Sequence, residues 1–212
     1  MRRLILALAC ALAFVALPNL ARAWDSPVTA GGYDDFSCAS AFGNNGGGCT
    51  GLTRPSNTTA YSSGQIVCAS TCAPLTIVAG RNNPTSPGSG IITGVSLLKS
   101  GNGTSGATFN VFFYSASPTF PASLADQSGY VGPYAADIKT GIYVGSASCS
   151  TTNNTSDSSA QVWYVCSINS GGINGLNFKT TGGLLYAVIE ATGAYTPASG
   201  EKFYVTAYEV QD

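Results

Sequence analysis

Apolar and polar residues alternate with a period of two through much of this chain, and that spacing constrains its fold more than any other feature. Phe109, Val111 and Phe113 alternate with Asn110, Phe112 and Tyr114, and Phe203, Val205 and Ala207 alternate with Tyr204, Thr206 and Tyr208. Successive side chains of a strand point to opposite faces, so this is the pattern of β-strands. Runs rich in Val, Ile, Phe, Tyr and Thr, bounded by turn residues, predict strands over 65–69, 75–79, 91–99, 107–115, 142–147, 161–168, 176–179, 184–192 and 202–210. Several runs are apolar at both parities, which calls for cover on both faces. No segment of ten or more residues carries helical periodicity. Eight or nine short strands at this spacing predict an all-β fold, a two-sheet antiparallel sandwich of jelly-roll-like kind. Asn102-Gly103 reads as a tight hairpin between two long strands. The segment 116–137, with Pro118, Pro121 and Pro133, reads as a long surface connection with an edge strand near Tyr130. The Ser/Thr/Asn-rich stretch 150–160 reads as a hairpin tip.

The first 23 residues follow a different grammar. Met1-Arg2-Arg3 is basic, residues 4–17 are almost unbrokenly apolar, and Ala21-Arg22-Ala23 is a small-x-small site before Trp24. These are the parts of a secretory signal peptide. An apolar run of about 14 residues falls short of the ~20 that span a bilayer, and Pro18 and Asn19 end it. The expected organisation is a signal peptide over 1–23, a Gly/Cys-rich N-terminal arm over 24–51 and a β-sandwich domain over 52–212. Cleavage near Ala23 places the mature chain in the periplasm or outside the cell, with no membrane span of its own. The arm contains Gly43-Asn44-Asn45-Gly46-Gly47-Gly48, a run that fits neither a strand interior nor a helix.

Export changes how the cysteines are read. Cys38, Cys49, Cys68, Cys72, Cys149 and Cys166 all lie beyond Ala23. An even number in an exported chain predicts disulfides, with the arm tethered by one of them. Six cysteines allow 15 pairings; pairing of nearest neighbours, 38 with 49, 68 with 72 and 149 with 166, is the reading adopted. The competing reading is an all-cysteine zinc site. The chain has no histidine and no C-x-x-C pair, since Cys68 and Cys72 are one residue too far apart, so no metal site is assigned.

The absence of histidine also excludes Ser-His-Asp and Cys-His catalysis. Ser96-Leu97-Leu98-Lys99 and Lys139-Thr140-Gly141 match fragments of a Ser-Lys pattern. In an alternating β segment, however, Ser96 and Lys99 fall on opposite faces. Among the carboxylates Asp34, Asp35, Asp126, Asp137, Glu190, Glu201 and Glu209, Glu190 sits in a strand with apolar neighbours and is the one candidate for a raised pKa, against the commoner reading of a surface or edge residue. No catalytic residue and no cofactor is assigned. Removing Arg2, Arg3 and Arg22 leaves six basic residues against ten acidic ones, a formal charge of −4. Phosphate-driven nucleic-acid binding needs clustered Lys and Arg, so nucleic acid is excluded as a partner. Trp163 and Tyr164, with Tyr114, Tyr143 and Tyr186, are candidates for stacking on a ligand, against the commoner role of aromatics as core filling.

Three stretches in the body, TRPSNTTAYSSG (53–64), ITGVSLLKS (92–100) together with FNVFFYSASPT (109–119), and GAYTPASGEKFYVTAY (193–208), resemble a family of tailed-phage and prophage proteins. These are virion-associated β-sandwich proteins of capsid-decoration or accessory type. The resemblance spans about residues 52–212 and implies a structural role without catalytic residues. The export leader and the six cysteines are additions to the family's pattern. The expected function is that of a non-enzymatic, exported structural or surface-associated protein, engaged in self-association or a particle or cell-surface assembly. The alternative is a carbohydrate-binding or adhesin-like module with a glycan as partner.

Overall fold

The structure, a computed structural model, describes residues 47–79, 87–100, 107–130, 132–150, 154–156, 161–169 and 175–211. The leader, Cys38 with its expected bond to Cys49, and the Asn102-Gly103 turn lie outside them. In chain order the elements are β1 (Gly47–Thr53), β2 (Gln65–Val67), β3 (Leu75–Val78), β4 (Gly88–Ser100), β5 (Phe109–Tyr114) and a short helix α1 (Ala135–Lys139). Then follow β6 (Tyr143–Cys149), β7 (Asn154–Ser156), β8 (Gln161–Asn169), β9 (Leu176–Thr180), β10 (Leu184–Ala191) and β11 (Lys202–Gln211).

All nine strands expected from the alternation are present, and the fold is antiparallel and all-β. The sheet is continuous, in the order β1-β11-β4-β8-β6-β5-β10-β2, with β3 also on β10, β7 on β8 and β9 on β4. Its arrangement differs from the expected pair of separate sheets. Residues 161–166 of β8 pair with β4, whereas residues 167–169 pair with β6. One strand thus leaves the first half of the sheet as it joins the second and turns the corner between them. Most consecutive strands change halves, the wrapping of a jelly roll. The expected hairpin between 91–99 and 107–115 does not form, because β4 and β5 lie in different halves and are not neighbours. The physical reason is burial: Val95 and Leu97 of β4 share one core with Phe109, Val111 and Phe113 of β5, so the two strands meet face to face.

Phe109 stands at the centre of that core. Its ring meets Tyr164 at 5.6 Å, Tyr195 at 5.3 Å and Phe203 at 5.4 Å, each close to perpendicular. The opposite parity of β5 is covered as well. Phe112 and Tyr114 pack with Ile66, Tyr130 and Val188, and Phe120, Leu124 and Tyr134 close over them. The segment 116–137 is therefore the second cover of the sheet, where a surface connection was expected. Tyr130 is fully buried, with its hydroxyl 2.6 Å from that of Tyr114. The expected edge strand there reduces to a single bridge, Gln65 to Gly129.

Two disulfides follow the nearest-neighbour pairing, Cys68 with Cys72 and Cys149 with Cys166. The second joins β6 to β8 just where β8 changes partners. Closing a loop with a sequence separation of 17 stabilises a fold by about 3 kcal/mol, chiefly through the unfolded chain. Two short strands lie where none was expected. β7 falls in the 150–160 segment, and β1 includes Gly47 and Gly48, paired with Tyr208 and Ala207. Glycine weakens a strand through entropy and lack of packing, but an edge strand against β11 gains its ladder from a well-formed neighbour.

Candidate functional site

The halves of the sheet differ in what their outer faces show. The face of β10-β5-β6 is covered by the 116–137 segment. The face of β1-β11-β4-β8 displays aromatic rings. Along β8 the residues alternate strictly: Val162, Tyr164 and Cys166 are buried, while Trp163 is 45% and Val165 62% exposed. Register carries the outer parity across the sheet, with Trp163 opposite Leu98, Leu98 opposite Tyr204 and Tyr204 opposite Gly51. One row along, Ser96 stands opposite Thr206, and beyond it Gly94 stands opposite Tyr208. None of these positions carries a charge, and the next outer position of β11 is Lys202, opposite Thr53.

Glycine shapes this face. A Cβ on Gly51 would collide with the Tyr204 ring, and one on Gly94 would come within 3.3 Å of the Tyr208 ring. Both tyrosines therefore lie down over side-chain-free backbone, a known way of protecting glycine in a strand. The Tyr208 hydroxyl reaches to 3.5 Å from Ser96 Oγ. Strands spaced 4.7–4.9 Å apart place Trp163 and Tyr204 about 10 Å from each other, with Leu98 between them. The result is a platform of two tyrosines and a tryptophan, apolar in its ring faces and polar at its hydroxyl and indole tips, with Lys202 on the same parity of β11 at its margin.

Charge is concentrated inside the fold. Arg54 Nη2 lies 2.8 Å from Asp126 Oδ2, and both side chains are buried. The Tyr61 hydroxyl donates to Asp126 Oδ1 at 2.5 Å, as does the Cys68 backbone N–H at 3.1 Å. The ring of Tyr61 stacks parallel on Tyr195 at 5.0 Å. Beyond that stack, Lys99 Nζ lies 2.6 Å from Glu201 Oε1, and both side chains are completely enclosed. Burial pushes the Tyr164 hydroxyl up to about 12, with the nearby Glu201 charge adding to it. Among the described residues, no three His, Cys, Asp or Glu side chains gather where an ion could sit.

Glu190 of β10 lies on the other face. Asn110 donates to its Oε2 at 3.1 Å, Ser148 donates to Asn110 Oδ1 at 2.9 Å, and Asn169 donates to Ser148 Oγ at 2.9 Å. This polar row crosses four strands. Glu190 is buried, where a surface or edge carboxylate was expected. Desolvation raises its pKa, and the Asn110 bond only partly offsets that. A carboxyl whose pKa is raised on folding makes the native state hold its proton longer than the unfolded chain does. Its contribution to stability is then largest below the ordinary glutamate range and falls as pH rises through the folded pKa. Glu190→Gln is therefore expected to melt above the wild type at neutral pH, with the difference vanishing near pH 4. Thermal melts at both pH values check this; a lower melting temperature for the variant at neutral pH would refute it.

No protein-family model, no curated protein and no solved structure matches this chain. Its site must be argued from its own residues.

The structure separates the two residues expected to stack on a ligand. Trp163 is open to solvent, while Tyr164 is fully buried against Phe109 and is a core residue. Tyr114, Tyr143 and Tyr186 belong to the covered cluster around Tyr130. Cys68, Cys72, Cys149 and Cys166 are in disulfides. Ser96 and Lys99 point to opposite faces of β4, Ser96 towards Tyr208 and Lys99 towards Glu201. Tyr204 and Tyr208 complete the platform and were not singled out from the sequence. Their signal was the outward register of Tyr204, Thr206 and Tyr208, combined with two isolated glycines in strands that the sequence does not show to be neighbours. No helix among the described residues is long and apolar enough to cross a membrane.

Proposed function

We propose that this protein is a non-enzymatic, exported structural or surface-associated protein that acts by contact through the outer face of β1-β11-β4-β8. The observation that carries this reading is the aromatic platform of Trp163, Tyr204 and Tyr208, with the Arg54–Asp126 and Lys99–Glu201 charges drawn into the interior. The resemblance of three stretches of the sequence to phage virion accessory proteins favours a structural role of the same kind. Two disulfides suit a protein that works in an oxidising compartment. Co-sedimentation of the mature protein with particles or cell surfaces from its own source tests the reading. Strict monomers that never sediment with either would count against it.

The lie of the tyrosine rings favours a second reading, a carbohydrate-binding module. Rings laid flat on glycine backbone offer their faces to the apolar faces of sugar rings, and the hydroxyl tips offer hydrogen bonds. Trp163→Ala and Tyr204→Ala are each expected to weaken retention on the bound polysaccharide about tenfold, near 1.4 kcal/mol, with the fold intact by circular dichroism. Affinity electrophoresis across neutral and acidic polysaccharides measures this. Folded protein that binds no glycan would dismiss the carbohydrate reading and leave the structural one standing.

A further inference from the structure

Lys99 and Glu201 form an arrangement that goes beyond surface contact. Lys99 is the one charged residue of β4, on the same inward parity as Val95 and Leu97. Glu201 stands just before β11, and the register places Phe203 opposite Lys99. The amine nitrogen lies 2.6 Å from one carboxylate oxygen, and neither side chain reaches solvent. The other carboxylate oxygen, Oε2, lies 3.4 Å from the Tyr195 hydroxyl, which donates to it. The Tyr195 ring lies 5.6 Å from Nζ. Tyr164, whose hydroxyl has no hydrogen-bond partner among the described residues, adds a second buried phenol within the field of Glu201. Phe109 packs on both tyrosines and seals the site.

Taking two charges out of water is costly, and a buried ion pair recovers that cost only with near-ideal geometry. A nucleophile held against an electrophilic carbon in a dry site also gains a large effective concentration. We propose that Lys99 and Glu201 condense into an intramolecular isopeptide bond that ties the end of β4 covalently to the start of β11. One proton passes from the ammonium to the carboxylate, giving a neutral amine and a neutral acid. The amine nitrogen attacks Cδ of Glu201 and a C–N bond forms. Oε1, which received the first proton from the ammonium 2.6 Å away, takes the proton that nitrogen loses, its bond to Cδ breaks and it leaves as water, while Oε2, held by the Tyr195 hydroxyl, remains as the amide oxygen. The step needs no oxidant, reductant or cofactor, and it exchanges two buried charges for a neutral amide. Desolvation raises the Glu201 pKa, although Lys99 opposes that shift, and the shift favours the neutral acid that the step requires.

Mass spectrometry of the purified, folded full-length chain tests the assignment. The intact mass should be lower by one water molecule than the sequence and its disulfides require. Tryptic digestion after reduction should yield a branched peptide joining the segments of Lys99 and Glu201, with no cleavage after Lys99. Lys99→Arg retains a cation but cannot form the bond, so the missing water should return. Natively folded wild-type protein that gives linear peptides cleaved after Lys99 would overturn the proposal, as would a water loss that persists in Lys99→Arg.

Discussion

Replacing Phe109 with alanine is expected to lower the stability of this protein by about 3–5 kcal/mol, the range for removing a buried phenylalanine. Phe109 belongs to β5, in one half of the sheet, yet its ring meets Tyr164 of β8 and Phe203 of β11 in the other half. A third ring, Tyr195, closes on it from the connection before β11. The loss therefore combines apolar area returned to water, a cavity at the centre of the core, and three edge-to-face contacts each worth about 0.5–1.5 kcal/mol beyond their area. Those terms overlap and do not add in full. Phe109→Leu retains part of the volume and should fall well short of the alanine loss. Urea denaturation without reductant, with the midpoint compared at constant slope, measures both variants. A loss below about 1 kcal/mol for Phe109→Ala would mean that the two halves of the sheet are not held together at this ring.

Phe109 also marks what the sequence discloses and what it withholds. Its inward parity was legible because Phe109, Val111 and Phe113 alternate with their neighbours, a local pattern imposed by strand geometry. The same rule made nine strands legible from short windows. Which half each strand joins was not legible, since β4 and β5 are close in sequence but meet only across the core. The Asn-Gly signal reports on a turn and says nothing about the partner that burial selects. β1 was hidden by its glycines, because the reason for Gly51 is the ring of Tyr204, 153 positions further on and invisible to any local reading. The platform was half legible for the same reason. Trp163 stood out by its type, but only register shows that Tyr164 points inward and that Tyr204 takes its place outside. The buried pairs were wholly hidden: Arg54 and Asp126 are separated by 72 residues and Lys99 and Glu201 by 102. Composition reports how many charges a chain has, not where folding encloses them.

Asp126 shows what such an enclosed charge does. It lies in the proline-containing segment read as a surface connection, yet it accepts hydrogen bonds from Arg54, Tyr61 and the backbone N–H of Cys68. These partners come from the chain between β1 and β2 and from the end of β2, so one carboxylate fastens the outer cover to the start of the fold. Asp126→Ala leaves the Arg54 guanidinium buried without its counter-charge, which costs about 3–5 kcal/mol in comparable pairs. The Tyr61 hydroxyl and the Cys68 N–H lose their acceptor as well, and each buried donor left unsatisfied adds about 1–3 kcal/mol unless water enters. The full loss is thus expected at or above the ion-pair range, and it should appear first in the cover. Limited proteolysis should cut within residues 115–130 of Asp126→Ala under conditions that leave the wild type intact, before the sheet itself unfolds. The double variant Arg54→Met, Asp126→Leu removes both charges and should be markedly more stable than Asp126→Ala, because a buried charge left alone costs more than a pair removed whole. If the double variant proves as unstable as the sum of its parts, Asp126 acts through the tyrosine and backbone hydrogen bonds alone and Arg54 is not its electrostatic partner.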